Sequence, residues 1–512
     1  MNNTLLVILD GFGEGPAYPG NAVTRAATST IPWLNEHASK ALLTACGEAV
    51  GIPVGTQGGS EVGHFTMGAG RRVFQTLEAI NRSITDGSFF KKPELVSAFE
   101  HIKNTKGARL HLMGMISDQG IHAHTNHLFA LLQMAKDQGV QEIFIHAVTD
   151  GRDVPERSAA GFITRIQEEI SRLGLSKQAK IASIMGRYYA MDRDANWDRT
   201  RAAYELLTEG KGAEETDPLA AIEHAYERGA HTDYYLAPMI LEKDGLVKNE
   251  DAMIIWNFRT DRLRQLTWAF TGEKNPRTGE PIGFTPTLPI RPFVVCMGHY
   301  SHVAPVVFPT PVVVNNLATV LSHNNLKQFH LAETEKYAHV TYFFNSQIED
   351  PLPGEDRLMI ASPKCPSYAE KPAMSAQEIT HSLTQKLSEK NYEFIVVNFA
   401  NCDLVGHSGN LTSAIKAVEV VDECLGKVLT AAKENGYTTL ITGDHGNVEY
   451  MLYDDGTPCP SHTKNPVPLY LVDPTGRFEL KQKKGELAQI APTILAIMGV
   501  SKPAEMTGES LI

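Results

Sequence analysis

Cysteine is scarce. The 512 residues hold six (Cys46, Cys296, Cys365, Cys402, Cys424 and Cys459), scattered, with no Cys-x-x-Cys pair. That spacing excludes a disulfide framework or a thiolate metal cage and leaves reduced, partly buried thiols as the expectation. Basic charge is also short: 47 Lys+Arg against 59 Asp+Glu gives a formal net charge of −12. General nucleic-acid binding, which needs a basic footprint, is therefore disfavoured, whereas a local basic cluster for a small anion is not. No stretch approaches the roughly 18 uninterrupted apolar residues of a membrane span. The N-terminal apolar run Leu5-Leu6-Val7-Ile8-Leu9 is short and has no Lys or Arg before it, unlike a secretory signal. A soluble, cytoplasmic protein is expected, with no nucleic-acid or membrane partner. Fixed-period repeats and low-complexity tracts are lacking too.

What is present is ordinary globular composition, 42% hydrophobic and 21% charged. At this length two or three domains are expected. Short β-rich runs recur at residues 4–9, 142–148, 181–185, 252–256, 394–397 and 438–441, most of them followed by Asp, Gly or Asn. Amphipathic helical patterns lie between them, as at 159–173 and 412–435. Strands alternating with helices predict α/β architecture with largely parallel sheets, whose ligands collect at the carboxyl ends of strands. Pro/Gly-rich stretches at 271–292 and 304–311 read as linkers, and a seam is expected near 72–76.

Three clusters supply metal-type ligands. Asp10 follows the first strand. Asp403 and His407 stand four apart, so one helical turn puts both on one face. Asp444 and His445 follow a strand in Thr442-Gly443-Asp444-His445-Gly446-Asn447, and His462 lies in Ser461-His462-Thr463. Singly, each reads as a turn former or helix cap. Together, three carboxylates and three imidazoles could hold two divalent ions, and the mixture suits Mn²⁺ or Zn²⁺ better than a soft-ligand metal. If these residues meet, the two ends of the chain form one domain (1–76 with 311–512) and 77–310 is an insertion.

The loop Gly55-Thr56-Gln57-Gly58-Gly59-Ser60-Glu61-Val62-Gly63-His64 lacks the Gly-Lys-Ser/Thr of a P-loop and is not Gly-x-Ser-x-Gly. Its glycines let the backbone bring Ser60 close to a metal, whose charge favours the alkoxide; Ser60 is the expected nucleophile. In the middle segment, arginines follow strands in Asp150-Gly151-Arg152-Asp153, in Gly186-Arg187-Tyr188-Tyr189-Ala190-Met191-Asp192-Arg193-Asp194, and in Asn257-Phe258-Arg259-Thr260-Asp261-Arg262. His122 and His124 lie in Ser117-Asp118-Gln119-Gly120-Ile121-His122-Ala123-His124. Guanidinium forks bind phosphate and carboxylate bidentately, so the cluster fits a small substrate with both groups, and Asp153 could act as general acid and base. The plainer reading is surface arginines paired with neighbouring aspartates.

These strings, with Gly68-Ala69-Gly70-Arg71, Glu333-Thr334-Glu335-Lys336-Tyr337-Ala338-His339-Val340-Thr341, Pro353-Gly354-Glu355-Asp356-Arg357 and Asn465-Pro466-Val467-Pro468, run almost the whole chain in order. The sequence resembles the cofactor-independent (2,3-bisphosphoglycerate-independent) phosphoglycerate mutases of the alkaline-phosphatase-like superfamily. The resemblance implies a two-domain α/β protein: a discontinuous phosphatase-like domain carrying two Mn²⁺ (or Mg²⁺) ions, and an inserted phosphotransferase domain. By position, Asp403, His407 and His462 would hold one metal, and Asp10, Ser60, Asp444 and His445 the other. His122, Arg152, Asp153, Arg187, Arg193, Arg259, Arg262 and Lys336 would contact substrate. Two departures touch local loop geometry only: Gly59 stands where the family has Asn, and Asp118–His124 differs from the family's Asp-Gly-Gly-Val-His-Ser-His. The implied reaction interconverts 3- and 2-phosphoglycerate through phosphoserine at Ser60 in a monomer, with Lys336 offsetting charge. The rivals are a metal-dependent phosphohydrolase, a phosphopentomutase-like enzyme and a non-catalytic metal-binding protein.

Overall fold

The structure is a computed structural model, which describes residues 2–274, 279 and 283–512. The chain divides into two compact units, Met1–Gln75 with Pro311–Ile512, and Thr76–Thr310. Strands β1 (Thr4–Leu9) and β2 (Ser39–Thr44) belong to the first. The second contains β3 (Leu110–Ile116), β4 (Ile143–Thr149), β5 (Ala179–Gly186), β6 (Ala213–Glu214), β7 (Met239–Ile240), β8 (Ala252–Ile255) and β9 (Phe293–Cys296). The first resumes with β10 (Gln328–Glu333), β11 (Glu355–Ile360), β12 (Phe394–Phe399), β13 (Thr438–Gly443), β14 (Val467–Val472) and β15 (Lys484–Glu486).

Unit 1 is built on a sheet of order β11-β10-β12-β1-β13-β14-β2-β15. Its first five strands run parallel, and β14 is antiparallel to both β13 and β2. A parallel central strand is covered on both faces, which is why β1 is one unbroken apolar run. Leu5, Val7 and Leu9 enter the core on one face, and Leu6 and Ile8 the core on the other. Unit 2 repeats the logic with order β6-β7-β5-β4-β3-β8-β9, where β7 is antiparallel to β5 and parallel to β6. One large core surrounds it.

The expected strands and both expected helices are present, the helices spanning Ala159–Arg172 and Leu411–Asn435. The stretch 271–292 is not a linker between units. It joins the helix Arg264–Thr271 to β9 inside unit 2, with 275–278 and 280–282 outside the described residues. Proline and glycine in that stretch do not mark a domain edge. Among the described residues no helix is long and apolar enough to cross a membrane.

One long-range contact fixes the approach to β2. The helix Thr30–His37 has no side-chain cap from its own Ser29. Instead buried Asp422, midway along Leu411–Asn435, accepts the N–H groups of Ser29 (2.8 Å), Thr30 (3.0 Å) and Ile31 (2.7 Å). Removing it strands three donors at a helix start. Asp422→Ala is expected to destabilise unit 1 by about 3 kcal/mol. Asp422→Asn, which keeps one acceptor, is expected to lose about half as much. Urea unfolding midpoints measure both.

Candidate active site

Strand register brings the first cluster together. β1 lies between β12 and β13, with Leu9 opposite both Phe399 and Gly443. The next residues on β1 and β13 are Asp10 and Asp444, and the chain leaving β12 turns at once into the helix Asn401–Gly406, which carries Asp403 with His407 as its C-cap. β10, beside β12, ends at Glu333, and Lys336 follows within one turn. Ser60 is the first residue of the helix Ser60–Ala69.

Ser60 Oγ is the meeting point. It lies 2.6 Å from Lys336 Nζ, 3.0 Å from Asp10 Oδ1 and 3.0 Å from His445 Nε2. Lys336 Nζ also donates to Asp10 Oδ1 and Asp403 Oδ2, both at 2.7 Å. Asp403 Oδ1 is 3.0 Å from His462 Nε2 and 3.2 Å from His407 Nε2, and these two nitrogens are 3.0 Å apart. All seven expected metal-type residues and Lys336 therefore converge. Burial pushes the Asp10 and Asp403 pKa values up, but Lys336 and the histidines outweigh it and hold both below the usual carboxylate range. His445 goes the other way: burial lowers it, yet Asp444 and Asp10 carry it to about 10. Three carboxylates thus face one ammonium and an imidazole that their charge draws towards its protonated form.

The imidazoles are oriented from behind. Backbone carbonyls of Gly58, Pro460 and Gly446 face Nδ1 of His462 (2.8 Å), His407 (2.9 Å) and His445 (3.3 Å). A carbonyl only accepts, so Nδ1 carries a proton in each ring, and Nε2 is the atom turned into the cluster. Ligand-type atoms gather in two groups, Asp403/His445/His462 and Asp10/His64/Asp444, each within 4.8 Å. His445 stands between them, 3.4 Å from Asp10 Oδ1 and 3.7 Å from both Asp403 Oδ1 and Asp444 Oδ2.

His64 was not expected here. Its Nδ1 is 2.9 Å from the Ser60 carbonyl and 3.3 Å from Asp444 Oδ2. Its Nε2 faces Asn398 Nδ2 at 3.0 Å, and that amide also donates to Asp10 Oδ2 at 2.7 Å. With a carbonyl on one nitrogen and an amide N–H on the other, both are engaged, which fixes the ring beside Asp444 and, through Asn398, beside Asp10. Its place one turn after Ser60 was the available signal.

The second cluster occupies the carboxyl ends of β3, β4, β5 and β8 in unit 2. Arg187, 1% exposed, donates through Nη1 to Asp150 Oδ1 and Asp153 Oδ2, both at 2.6 Å, and through Nη2 to His122 Nε2 at 2.9 Å. Asp261 collects Arg193 (2.6 Å) and Arg259 (3.2 Å) and lies 3.8 Å from His122 Nδ1. Arg262 donates to the Met191 carbonyl at 2.9 Å. Arg152, exposed, shares the turn of Asp153. Asp150 and Asp261 were missed as site residues, although each adjoins an arginine motif. Here five buried polar atoms make no hydrogen bond: His122 Nδ1, Asp150 Oδ2, Arg187 Nε, Asp261 Oδ1 and Arg262 Nε. Folded proteins rarely leave such groups unpaired, and their concentration marks a place for a polar ligand.

His122 accepts from Arg187 and is therefore neutral. Burial, then Arg187, pushes its pKa down from 6.5 to about 4. A group whose neutral form the fold prefers gives stability that is complete above pH 6.5 and lost as pH falls towards 4. The urea midpoint of the protein is expected to drop across that window, and less steeply in His122→Gln. Equal slopes for the two proteins would refute the assignment.

A buried hydroxyl held by an ammonium among carboxylates and imidazoles, and a guanidinium-lined basin at strand ends, are equipment for moving a charged group such as phosphoryl. Comparisons with known proteins agree. Residues 80–302 match the family described as BPG-independent PGAM N-terminus. The 2,3-bisphosphoglycerate-independent phosphoglycerate mutase of Moorella thermoacetica is 47% identical over 514 residues, covering 99% of this chain and 98% of that one. The protein of the same name from Desulforudis audaxviator is 45% identical, with the same coverage. A crystal structure of Leishmania mexicana phosphoglycerate mutase at low cobalt concentration aligns at 28% identity with TM-score 0.61, covering 100% of this chain and 97% of that one. The class is thus an isomerase acting by phosphoryl transfer. The chain belongs to the 2,3-bisphosphoglycerate-independent phosphoglycerate mutases, enzymes of glycolysis and gluconeogenesis that interconvert 3- and 2-phosphoglycerate without the bisphosphate.

Proposed function

We propose that Ser60 is the phosphoryl carrier of this mutase, that unit 2 binds the glycerate portion, and that two divalent cations serve the unit 1 cluster. The observation that carries the reading is Ser60 Oγ within 3.0 Å of Lys336, Asp10 and His445.

The residues present fit cations. His407 Nε2 and His462 Nε2 face each other at 3.0 Å with Asp403 Oδ1 beside both, an acceptor-rich arrangement that a positive charge resolves. Asp444 Oδ2 is buried without a hydrogen bond. Asp403, His407 and His462 would hold one ion, and Asp10, Ser60, Asp444 and His445 the other. Three carboxylates with three imidazoles suit Mn²⁺ better than Mg²⁺, which favours all-oxygen octahedra. Bound there, such ions favour the serine alkoxide and offset charge on the transferring group.

The chain's own groups do the rest. Ser60 Oγ attacks phosphorus as the phosphate ester bond of the substrate breaks, and Lys336 donates to the equatorial oxygens. Arg187, Arg193, Arg259 and Arg262, with Arg152 and His122, retain the glycerate. Asp153 gives its proton to the departing alkoxide and takes one from the other hydroxyl, which then recovers the phosphoryl group from Ser60. No bisphosphate is required, because the serine stores the group between the two transfers. We also infer a monomer in the cytoplasm, which light scattering and fractionation test. The decisive experiment is mass spectrometry after rapid quench with 3-phosphoglycerate. A phosphoryl adduct on Ser60 that a chelator abolishes is expected; an adduct elsewhere, or none, would sink the reading. A phosphohydrolase would instead release inorganic phosphate.

A further inference from the structure

We propose that Glu449 is the positioning residue that ties together the loops bearing the cation ligands; the inference rests on the two-cation reading above. Glu449 follows β13 in Asn447-Val448-Glu449 and is 1% exposed. Its Oε2 accepts the backbone N–H of Gly13 (3.2 Å) and of Asn447 (2.8 Å). Its Oε1 accepts Asn465 Nδ2 (3.0 Å) and the Thr463 hydroxyl. These donors belong to three separate loops. Gly13 lies three residues after Asp10, Asn447 two after His445, and Thr463 next to His462. Asn447 extends the network by placing its Nδ2 3.3 Å from Asp403 Oδ1.

Among the described residues no Lys, Arg or His pairs with Glu449, so four neutral donors alone hold its charge. A buried carboxylate forms such bonds at roughly twice the strength of neutral ones. Both oxygens are occupied, and neither Ser60 nor Lys336 touches them, so Glu449 is neither a ligand nor a catalytic group. The fit is close: a Cβ on Gly13 would fall 2.5 Å from each carboxylate oxygen. Any larger residue at position 13 would therefore have to displace the carboxylate from its four donors.

Groups that orient metal ligands commonly set affinity by 10–100-fold. Thr463→Val with Asn465→Ala removes both side-chain ties from the His462 loop to Oε1, together with the Asn465 N–H bond to the Thr463 hydroxyl. It leaves Gly13 and Asn447 bonded to Oε2 and the Thr463 N–H bonded to the Gly446 carbonyl. The test is equilibrium dialysis of the full-length protein against MnCl₂, with bound manganese read by plasma emission. Two Mn²⁺ per wild-type chain are expected. In the double variant, one ion should bind about 10–100-fold more weakly and the other normally, with turnover restored by excess Mn²⁺. Thr463→Ser, which keeps the hydroxyl, should behave as wild type, and Glu449→Ala should weaken both ions. If Glu449→Ala fails to fold, the double variant decides. Two ions at wild-type affinity in the double variant, or equal weakening of both, overturns the proposal. Wild-type protein that holds no Mn²⁺ ends the two-cation reading and this one with it, an outcome separate from either of those.

Discussion

Replacing Ser60 with alanine is expected to lower kcat by on the order of 10⁵–10⁶-fold, with little change in the affinity for phosphoglycerate. The substitution removes one atom, and that atom lies within 3.0 Å of Lys336 Nζ, Asp10 Oδ1 and His445 Nε2 together. The local backbone has no need of it. The helix Ser60–Ala69 starts from an extended Gly59 with no side-chain cap, and Gly59 already accepts the N–H of Gly63. The variant should therefore fold, while losing the phosphoryl acceptor and one of the four side chains proposed for the second ion. Rapid-quench mass spectrometry should show no adduct, and steady-state assay should show neither mutase activity nor phosphate release. Substantial turnover in Ser60→Ala would mean direct transfer between hydroxyls of the substrate, and the carrier role would be lost.

How much of this could be read from sequence differs by residue. Asp10 and Asp444 were legible because a strand that stops at Asp-Gly or Gly-Asp-His announces a functional carboxyl end. Asp403 and His407 were legible from helical spacing, and they do meet, at 3.2 Å. What sequence did not show was β1 lying between β12 and β13, a pairing of segments nearly 400 residues apart that only the sheet register reveals. The same distance hid His64, Asn398 and Glu449. Each acts through hydrogen bonds to remote segments, and Glu449 in a linear string looks like any surface glutamate. In unit 2 the arginines drew notice, whereas Asp150 and Asp261 did not, because a single carboxylate beside arginine is usually a plain ion pair. Their buried oxygens without a hydrogen bond, Asp150 Oδ2 and Asp261 Oδ1, are visible only in three dimensions. The stretch 271–292 was misread for a related reason: composition reports local irregularity, and the place where a chain changes unit depends on packing.

Arg187→Lys carries the second large effect, and it probes why the enzyme is a mutase. The guanidinium forks to Asp150 and Asp153 with one nitrogen and to His122 with another. A lysine ammonium has neither the reach nor the planar fork. Asp150, 0% exposed at its side chain, would lose its partner. Breaking a buried pair costs about 3–5 kcal/mol, and unit 2 should lose stability near the lower end because one charge remains. Catalysis should suffer more. Loss of the proposed glycerate contact of Arg187, whose Nε makes no hydrogen bond within the protein, is expected to weaken glycerate binding by roughly 10–100-fold. If Asp153 is the proposed general acid and base, freeing it from its partner forfeits part of a contribution worth about 10²–10⁴-fold. kcat/KM is expected to fall by about 10³-fold or more. The products matter as much as the rate. A tethered hydroxyl reaches an effective molarity of about 10⁵–10⁸ M against about 55 M for water, so transfer wins while glycerate is held. Weakened retention lets glycerate escape from phosphoserine, and water then takes the phosphoryl group. The ratio of inorganic phosphate released to 2-phosphoglycerate formed should rise about 10–100-fold, read in parallel assays on the same sample. A variant that slows both products equally would show that the arginine cluster supports the fold of unit 2 without governing the fate of the phosphoryl group.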